Sequence, residues 1–234
     1  MMESKTDLQR LQQEYSRRAG ESKTKDRYSS ENPAHQWMIS DRQRKIRDLL
    51  KKGRIHGFQT LNILEIGCGS GGVINEFLRS GAVPSRLCGL DLLFDRLEEA
   101  SESLPDCAWI NANGQDLPFK DASFDLALQF TAFSSILDPE IKRDMAESML
   151  RVLKPDGGVL WYDFIWNPTN SQTKGIGLKE IKSLFPGCTF LVSRITLAPP
   201  LIRLLLPKFP RLVERLSSLI MLNSHLLVWI QKRS

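Results

Sequence analysis

Apolar and polar residues follow two rhythms along this chain, and they alternate through its middle. Compact apolar runs of strand length predict strands over 62–66, 87–91, 108–110, 124–130 and 158–164. Between them, apolar residues at three- and four-residue spacing predict helices over 72–79, 94–103 and 139–153. Lys154-Pro155-Asp156-Gly157-Gly158 reads as a helix stop and a turn. Such alternation implies an α/β fold, a mostly parallel sheet doubly wound with helices on both faces. Its crossovers should be right-handed, and its ligands should sit at the carboxyl ends of the strands.

The flanks are patterned differently. Leu8, Leu11 and Tyr15 mark a weakly amphipathic helix over 7–18, and a polar loop follows to Pro33. A second helix over 34–52 carries the stripe Ile39, Ile46, Leu49 and Leu50, with His35 and Arg42 on or beside it. Arg42 either pairs at the helix surface or, with His35 and Trp37, faces the ligand cleft. Residues 1–57 thus read as an N-terminal helical arm or lid, and 58–234 as the main domain. Beyond the fifth strand come a polar loop over 167–177, a helix over 178–185, and strands over 189–196 and 226–231. Residues 197–224 form a helical insertion between those strands. There Phe209, Leu212, Val213, Leu216, Leu219 and Ile220 recur at helical spacing, opposite Arg211, Glu214 and Arg215. The simplest reading packs this stripe over the sheet. The others are a lid over an apolar acceptor pocket and a basic amphipathic surface for lipid-linked substrates or a membrane.

Composition narrows the class. The chain has 234 residues, 41% hydrophobic and 25% charged, enough for a sizeable core. Its +5 charge is split: residues 1–54 hold 14 basic against 8 acidic, 55–193 hold 11 against 18, and 194–234 hold 7 against 1. An acidic middle between basic ends argues against a general nucleic-acid binder. The ends suit a phosphorylated substrate or an anionic surface. Cys68, Cys88, Cys107 and Cys188 are far apart with no Cys-x-x-Cys pair, so neither a metal site nor a disulfide framework is expected. A polar N-terminus and the lack of an apolar run of about 18 residues predict a cytoplasmic protein.

The chemistry concentrates where the first strand meets its helix, at Glu65-Ile66-Gly67-Cys68-Gly69-Ser70-Gly71-Gly72. Gly67 and Gly69 permit positive φ and close approach of a ligand to the backbone, and the helix amides point at it. Gly67, Gly69 and Gly72 satisfy G-x-G-x-x-G, with Asp91 ending the second strand. That pattern fits NAD. It equally fits any adenosine whose ribose hydroxyls donate to a carboxylate. Glu65, two residues before the turn, suits a cationic ligand better than a pyrophosphate.

Glu65-Ile66-Gly67-Cys68-Gly69, Asp91, Leu117-Pro118-Phe119, Phe124-Asp125 and Leu153-Lys154-Pro155-Asp156-Gly157-Gly158, in that order, resemble the class I S-adenosylmethionine-dependent methyltransferases. The likeness covers the central 40% or so of the chain, from Ile63 through Gly158. The C-terminal third, more loosely, resembles methyltransferases of bacterial glycan and secondary-metabolite clusters. The resemblance implies a Rossmann-like seven-stranded sheet in the order 3-2-1-4-5-7-6, its last strand antiparallel. It implies S-adenosylmethionine as cofactor: Glu65, Gly67, Cys68 and Gly69 around the amino-acid end, Asp91 on the ribose, and Leu92 flanking the adenine. Asn113 falls where members often carry an acid for the adenine amino group, and Gly114 beside it is a further cofactor-binding candidate. Gln129 and Phe130 match positions that approach the cofactor.

In that sheet order His225, starting the last strand, and Asp163, near the end of the fifth, share one sheet end. His225 is then a candidate general base with Asp163 orienting it or binding substrate, or else a strand-end histidine without a catalytic role. His35 is the second candidate base. The expected reaction is methyl transfer to a hydroxyl of a small molecule or glycan. N-methylation, an NAD-dependent oxidoreductase and a non-catalytic cofactor-binding subunit are the alternatives. No Tyr-x-x-x-Lys follows Tyr162, which disfavours the oxidoreductase.

Overall fold

A computed structural model describes residues 9–11, 14, 31–166 and 172–233. Leu8, Tyr15, most of the polar loop before Pro33 and the start of the 167–177 loop lie outside these residues. Residues 9–11 are helical, and Leu11 is buried.

The chain then alternates as α1 (Pro33–Lys52), β1 (Ile63–Ile66), α2 (Gly72–Arg79), β2 (Leu87–Asp91), α3 (Phe94–Ser103), β3 (Ala108–Asn111), β4 (Phe124–Phe130), α4 (Pro139–Val152) and β5 (Leu153–Phe164). It ends as α5 (Leu178–Leu184), β6 (Cys188–Leu197), α6 (Pro199–Leu205), α7 (Pro210–Ser217) and β7 (Asn223–Lys232). The strands form one sheet in the order β3-β2-β1-β4-β5-β7-β6. All neighbours pair in parallel except β7, which is antiparallel to both β5 and β6. The expected sheet order is thus the observed one.

Local chemistry sets the helix starts. Asn32 Oδ1 accepts from the backbone amides of Ala34 (3.0 Å) and His35 (3.3 Å) ahead of α1, and Asp138 Oδ1 accepts from Glu140 (2.7 Å) and Ile141 (3.4 Å) ahead of α4. Each cap is followed by a proline at the first helical position, where a missing N–H costs nothing.

The sheet separates two cores. Leu64, Ile66, Ala127, Val159, Trp161 and Val228 face α4 and α5. Ile63, Leu126, Leu128, Leu160, Leu227 and Trp229 face the other way, against Ile46, Leu49 and Leu50 of α1 and Ile74 and Phe77 of α2. Burying each of those α1 side chains contributes about 1.5–3 kcal/mol, which seats the helix on the sheet.

Three sequence expectations change. The Lys154–Gly158 turn is drawn into β5, whose pairing steps from Phe124↔Leu153 to Leu126↔Gly158, so residues 154–157 are extra length against β4. β7 begins at Asn223, which places His225 inside the strand. The 197–224 stripe packs on the sheet only in part, with Val213 and Leu216 joining Leu197 of β6 in an apolar cluster. Its helix breaks into α6, α7 and a 3-10 turn at Ile220–Leu222, with Val213 buried and Phe209, Leu212, Leu219 and Ile220 exposed. Pro207 and Pro210 explain the break, since neither can continue a helix hydrogen-bond ladder.

Candidate active site

The glycine turn hangs from the second strand. The Gly67 and Cys68 amides donate to the Leu90 carbonyl at 2.8 and 3.1 Å. Gly69 N–H donates to Asp91 Oδ2 at 2.8 Å, and Leu93 N–H donates to Asp91 Oδ1 at 2.9 Å. Gly67, Gly69 and Gly71 have positive φ of 74°, 52° and 77°. A Cβ on Gly67 would fall 2.7 Å from that of Ala132, and one on Gly71 would fall 2.6 Å from the Trp109 ring. Around Gly72 a Cβ would meet nothing within 4 Å. The third glycine that the turn needs is therefore Gly71, and the G-x-G-x-x-G match through Gly72 is coincidental.

Glu65 is 2% exposed, on the β1 face that looks toward α1 and α2. Its Oε2 is buried without a hydrogen-bond partner. Burial, then repulsion by Glu76 and Asp91, holds its carboxyl well above the usual range, and Arg42 partly offsets this. A cation beside Oε2 would favour the carboxylate and satisfy the orphaned atom.

Arg42 reaches from this carboxylate toward the ends of β4 and β5. Its guanidinium is ion-paired with Glu76, whose Oε2 also accepts from Gln43 Nε2 at 2.7 Å. The guanidinium carbon sits 5.3 Å from the centre of the Phe130 ring and 5.0 Å from that of Tyr162. Tyr162 in turn stacks on His225, with ring centres 4.7 Å apart and planes within 7°. Tyr162 Oη lies 2.9 Å from Thr196 Oγ1. Thr131, just after β4, and Thr196, near the end of β6, have φ of 60° and 65°. Left-handed backbone is costly for a β-branched residue, and such strain concentrates at functional sites.

Asp163 and His225 are not brought together. His225 pairs across with Phe164 and shares the Tyr162 face, while Asp163 points to the opposite face. Asp163 Oδ2 accepts from Ser134 N–H (3.1 Å) and Gln129 Nε2 (3.3 Å), and Oδ1 accepts from Phe164 N–H (2.9 Å). The one-residue offset in an antiparallel pair explains the miss, because adjacent register positions point to opposite faces. His225 Nδ1 instead lies 2.9 Å from Ser224 Oγ. Gln129 is fully buried, its Oε1 taking the Ala132 amide at 2.9 Å, so it shapes the loop after β4.

Asn113 Oδ1 accepts from Gln115 N–H at 3.1 Å, and its Nδ2 donates to Gln115 Oε1 at 3.0 Å. Gly114 is fixed by close packing, since a Cβ there would fall 2.9 Å from Met145 Cε. Leu92 is half-buried, its carbonyl accepting from Asn111 Nδ2 at 3.1 Å. His35, two helical turns before Arg42, is half-buried; burial and then Arg42 lower its pKa, against a smaller raising effect of Glu76.

Asp163 and His225 titrate in opposition. Burial raises the Asp163 carboxyl from 3.8 to about 6, while burial and then Arg42 lower the His225 imidazole from 6.5 to about 3. Below pH 6.5 the unfolded chain binds a proton at His225 that the fold refuses until about pH 3, so this residue costs stability as pH falls. Between about pH 6 and 3.8 the folded chain binds the Asp163 proton first, so that residue adds stability as pH falls. From pH 7 to pH 5 the contributions are about 2 kcal/mol lost and about 1 kcal/mol gained. Urea unfolding should therefore show His225→Phe gaining about 2 kcal/mol on wild type over that interval, and Asp163→Asn losing about 1. Variant and wild-type profiles that run parallel would remove these ionisation states.

Reading the sequence alone missed Glu76, Tyr162 and Thr196 and left Arg42 divided between surface and cleft. The seven-residue spacing of His35 and Arg42 does place both on one helical face. The left-handed backbone of Thr196 has no counterpart in a sequence pattern.

Comparison with known proteins agrees with this geometry. Residues 63–157 match the family model described as a methyltransferase domain. The chain is 33% identical over 115 residues to 2-phytyl-1,4-naphtoquinone methyltransferase of Nostoc sp., covering 47% of this chain and 48% of that protein. It is 34% identical over 110 residues to phthiotriol/phenolphthiotriol dimycocerosates methyltransferase 1 of Mycobacterium ulcerans, covering 46% of this chain and 38% of that one. The matched segments thus span less than half the length of these relatives. A solved S-adenosylmethionine-dependent methyltransferase of Methanosarcina mazei superposes with a TM-score of 0.55 at 16% identity, over 79% of this chain and 98% of its own. S-adenosylmethionine is the cofactor this combination implies, and the orphaned Glu65 oxygen, the glycine turn and Asp91 fit it. Residues 63–157 are a methyltransferase domain, and the sheet that carries them has the class I S-adenosylmethionine-dependent methyltransferase fold.

Proposed function

We propose that this chain transfers the methyl group of S-adenosylmethionine to a hydroxyl of an apolar small molecule or lipid. The observation that carries the reading is Glu65 Oε2, a buried carboxylate oxygen without a partner beside a positive-φ glycine turn. Bound there, the cofactor supplies an electrophilic methyl. Gly67, Cys68 and Gly69 would line its amino-acid end, with Glu65 as the counter-charge to its ammonium. Asp91 would exchange the Gly69 amide for ribose hydroxyls, and Leu92, Asn113 and Gly114 would border the adenine. Phe130 and Tyr162 wall the far side with Arg42 across their faces, which limits water where the methyl moves.

The acceptor reading rests on the other wall. Leu197, Ile202 and Val213 form an apolar cluster with Ala34 at the start of α1, with Trp37 and Met38 packed against it, next to His35. The two curated relatives are named for a phytyl-naphthoquinone and for phthiotriol dimycocerosates, molecules with hydrocarbon chains, which favours an apolar acceptor over a glycan. We assign His35 as the group that takes the hydroxyl proton. Both His35 and His225 are neutral at pH 7, but an imidazole pushed down to about 3 is the weaker base. His225 then serves as a wall stacked on Tyr162.

Calorimetric titration tests the cofactor half. S-adenosylhomocysteine should bind, and Asp91→Ala should weaken it at least roughly tenfold, as expected for loss of a charge-assisted hydrogen-bond pair. Binding of NAD in its place would overturn the reading.

A further inference from the structure

The insertion between β6 and β7 exposes apolar side chains that a soluble surface normally covers. Leu219, Ile220, Met221 and Leu222 run consecutively through the 3-10 turn at 53%, 65%, 85% and 36% exposure. Leu204, Phe209 and Leu212 add 73%, 55% and 42%. Contiguous apolar exposure of this kind marks an interaction surface.

Charge indicates the partner. Arg211 and Arg215 are exposed and share with Leu212 the outer face of α7, opposite buried Val213 and Ser217, and exposed Lys208 and Leu219 flank the helix at its two ends. Glu214 is the one acidic residue among 194–234, against seven basic ones. A protruding apolar turn beside a basic helix face is the pattern of a segment lying in a bilayer interface, its leucines in the acyl boundary and its arginines at anionic headgroups. A protein partner would be expected to bring carboxylates to particular arginines. Here the guanidiniums stand interleaved with leucines along the helix, which suits a diffuse anionic plane.

We propose that the α7 face and the Leu219–Leu222 turn dock this protein on an anionic lipid surface. The turn leads directly into β7, where Ser224 accepts the Ile165 amide at 2.9 Å through its carbonyl, one residue from the paired His225 and Phe164. The docked face therefore adjoins the carboxyl end of the sheet. An apolar acceptor would reach the cleft from the membrane rather than through water, a consequence that rests on the function proposed above; the docking itself does not.

Vesicle flotation of the full chain tests it, with phosphatidylcholine vesicles and with vesicles in which phosphatidylglycerol makes up about a third of the lipid. Wild type should float with the anionic vesicles and not with the neutral ones. Ile220→Asp with Met221→Asp, and separately Arg211→Glu with Arg215→Glu, should each reduce binding at least roughly tenfold. Both variants should keep wild-type affinity for S-adenosylhomocysteine, which separates lost docking from lost folding or a failed cofactor reading. No wild-type flotation, equal flotation with neutral vesicles, or undiminished binding by either variant would overturn the proposal. So would a wild-type dimer that Ile220→Asp with Met221→Asp converts to monomer, since a second copy would then be what covers the surface.

Discussion

Arg42→Met should destabilise this protein by about 3 kcal/mol, the low end of what breaking a buried ion pair costs. The Arg42 and Glu76 side chains are only 16% and 11% exposed, so removing the guanidinium leaves Glu76 with little water to replace it. The same change strips Glu65 of a nearby positive charge that favours its ionised form, and the faces of Phe130 and Tyr162 of their cation. The double variant Arg42→Met with Glu76→Gln should recover more than half of the loss, because it removes both charges rather than stranding one. Urea unfolding of wild type, both single variants and the double measures the coupling. A single variant within about 0.5 kcal/mol of wild type, or a double no better than Arg42→Met, would show that the pair is not what holds α1 over the sheet.

His35→Ala should lower methyl transfer by about a hundredfold while leaving S-adenosylhomocysteine binding unchanged, the usual span for loss of a positioned proton acceptor. Label carried from methyl-labelled cofactor into the organic phase of a lipid extract gives the readout. A variant with near-wild-type transfer would return the role to another group or to none. His225→Phe is the control. It keeps a ring stacked on Tyr162 and should retain most of the activity if His225 is a wall, whereas a loss matching that of His35→Ala would make His225 the base instead.

The sheet could be read from the sequence because its strands are buried on both faces, so near-continuous apolar runs such as Leu126-Ala127-Leu128 stand out from the helices between them. The glycine turn was legible for a related reason, since positive φ selects residue type directly. Even there the pattern misled by one position, because Gly71 and Gly72 satisfy neighbouring registers and are separated by the positive φ of Gly71 and its packing against Trp109. Side-chain constellations were less accessible. Asp163 and His225 share a sheet end but lie on opposite faces, and one step in the register of β5 against β7 decides this. Arg42, Glu76, Tyr162 and Thr196 come from four elements, and no local spacing connects a helix arginine to a threonine 154 positions later. The amphipathic period of residues 209–220 was real, yet period alone does not say whether water, sheet or lipid faces the stripe.

The four cysteines carry a consequence of their own. Cys68 lies in the glycine turn, Cys88 on β2, Cys107 just before β3 and Cys188 on β6, and all four are free and buried. Burial raises every one of their pKa values, that of Cys88 to about 12. A thiol held protonated and out of solvent reacts only when its surroundings open. The chain therefore carries a native set of clocks, one in the glycine turn proposed to hold the cofactor and three along the sheet. Slower alkylation of Cys68 on S-adenosylhomocysteine binding, against unchanged rates at the other three, would time the opening of that turn alone.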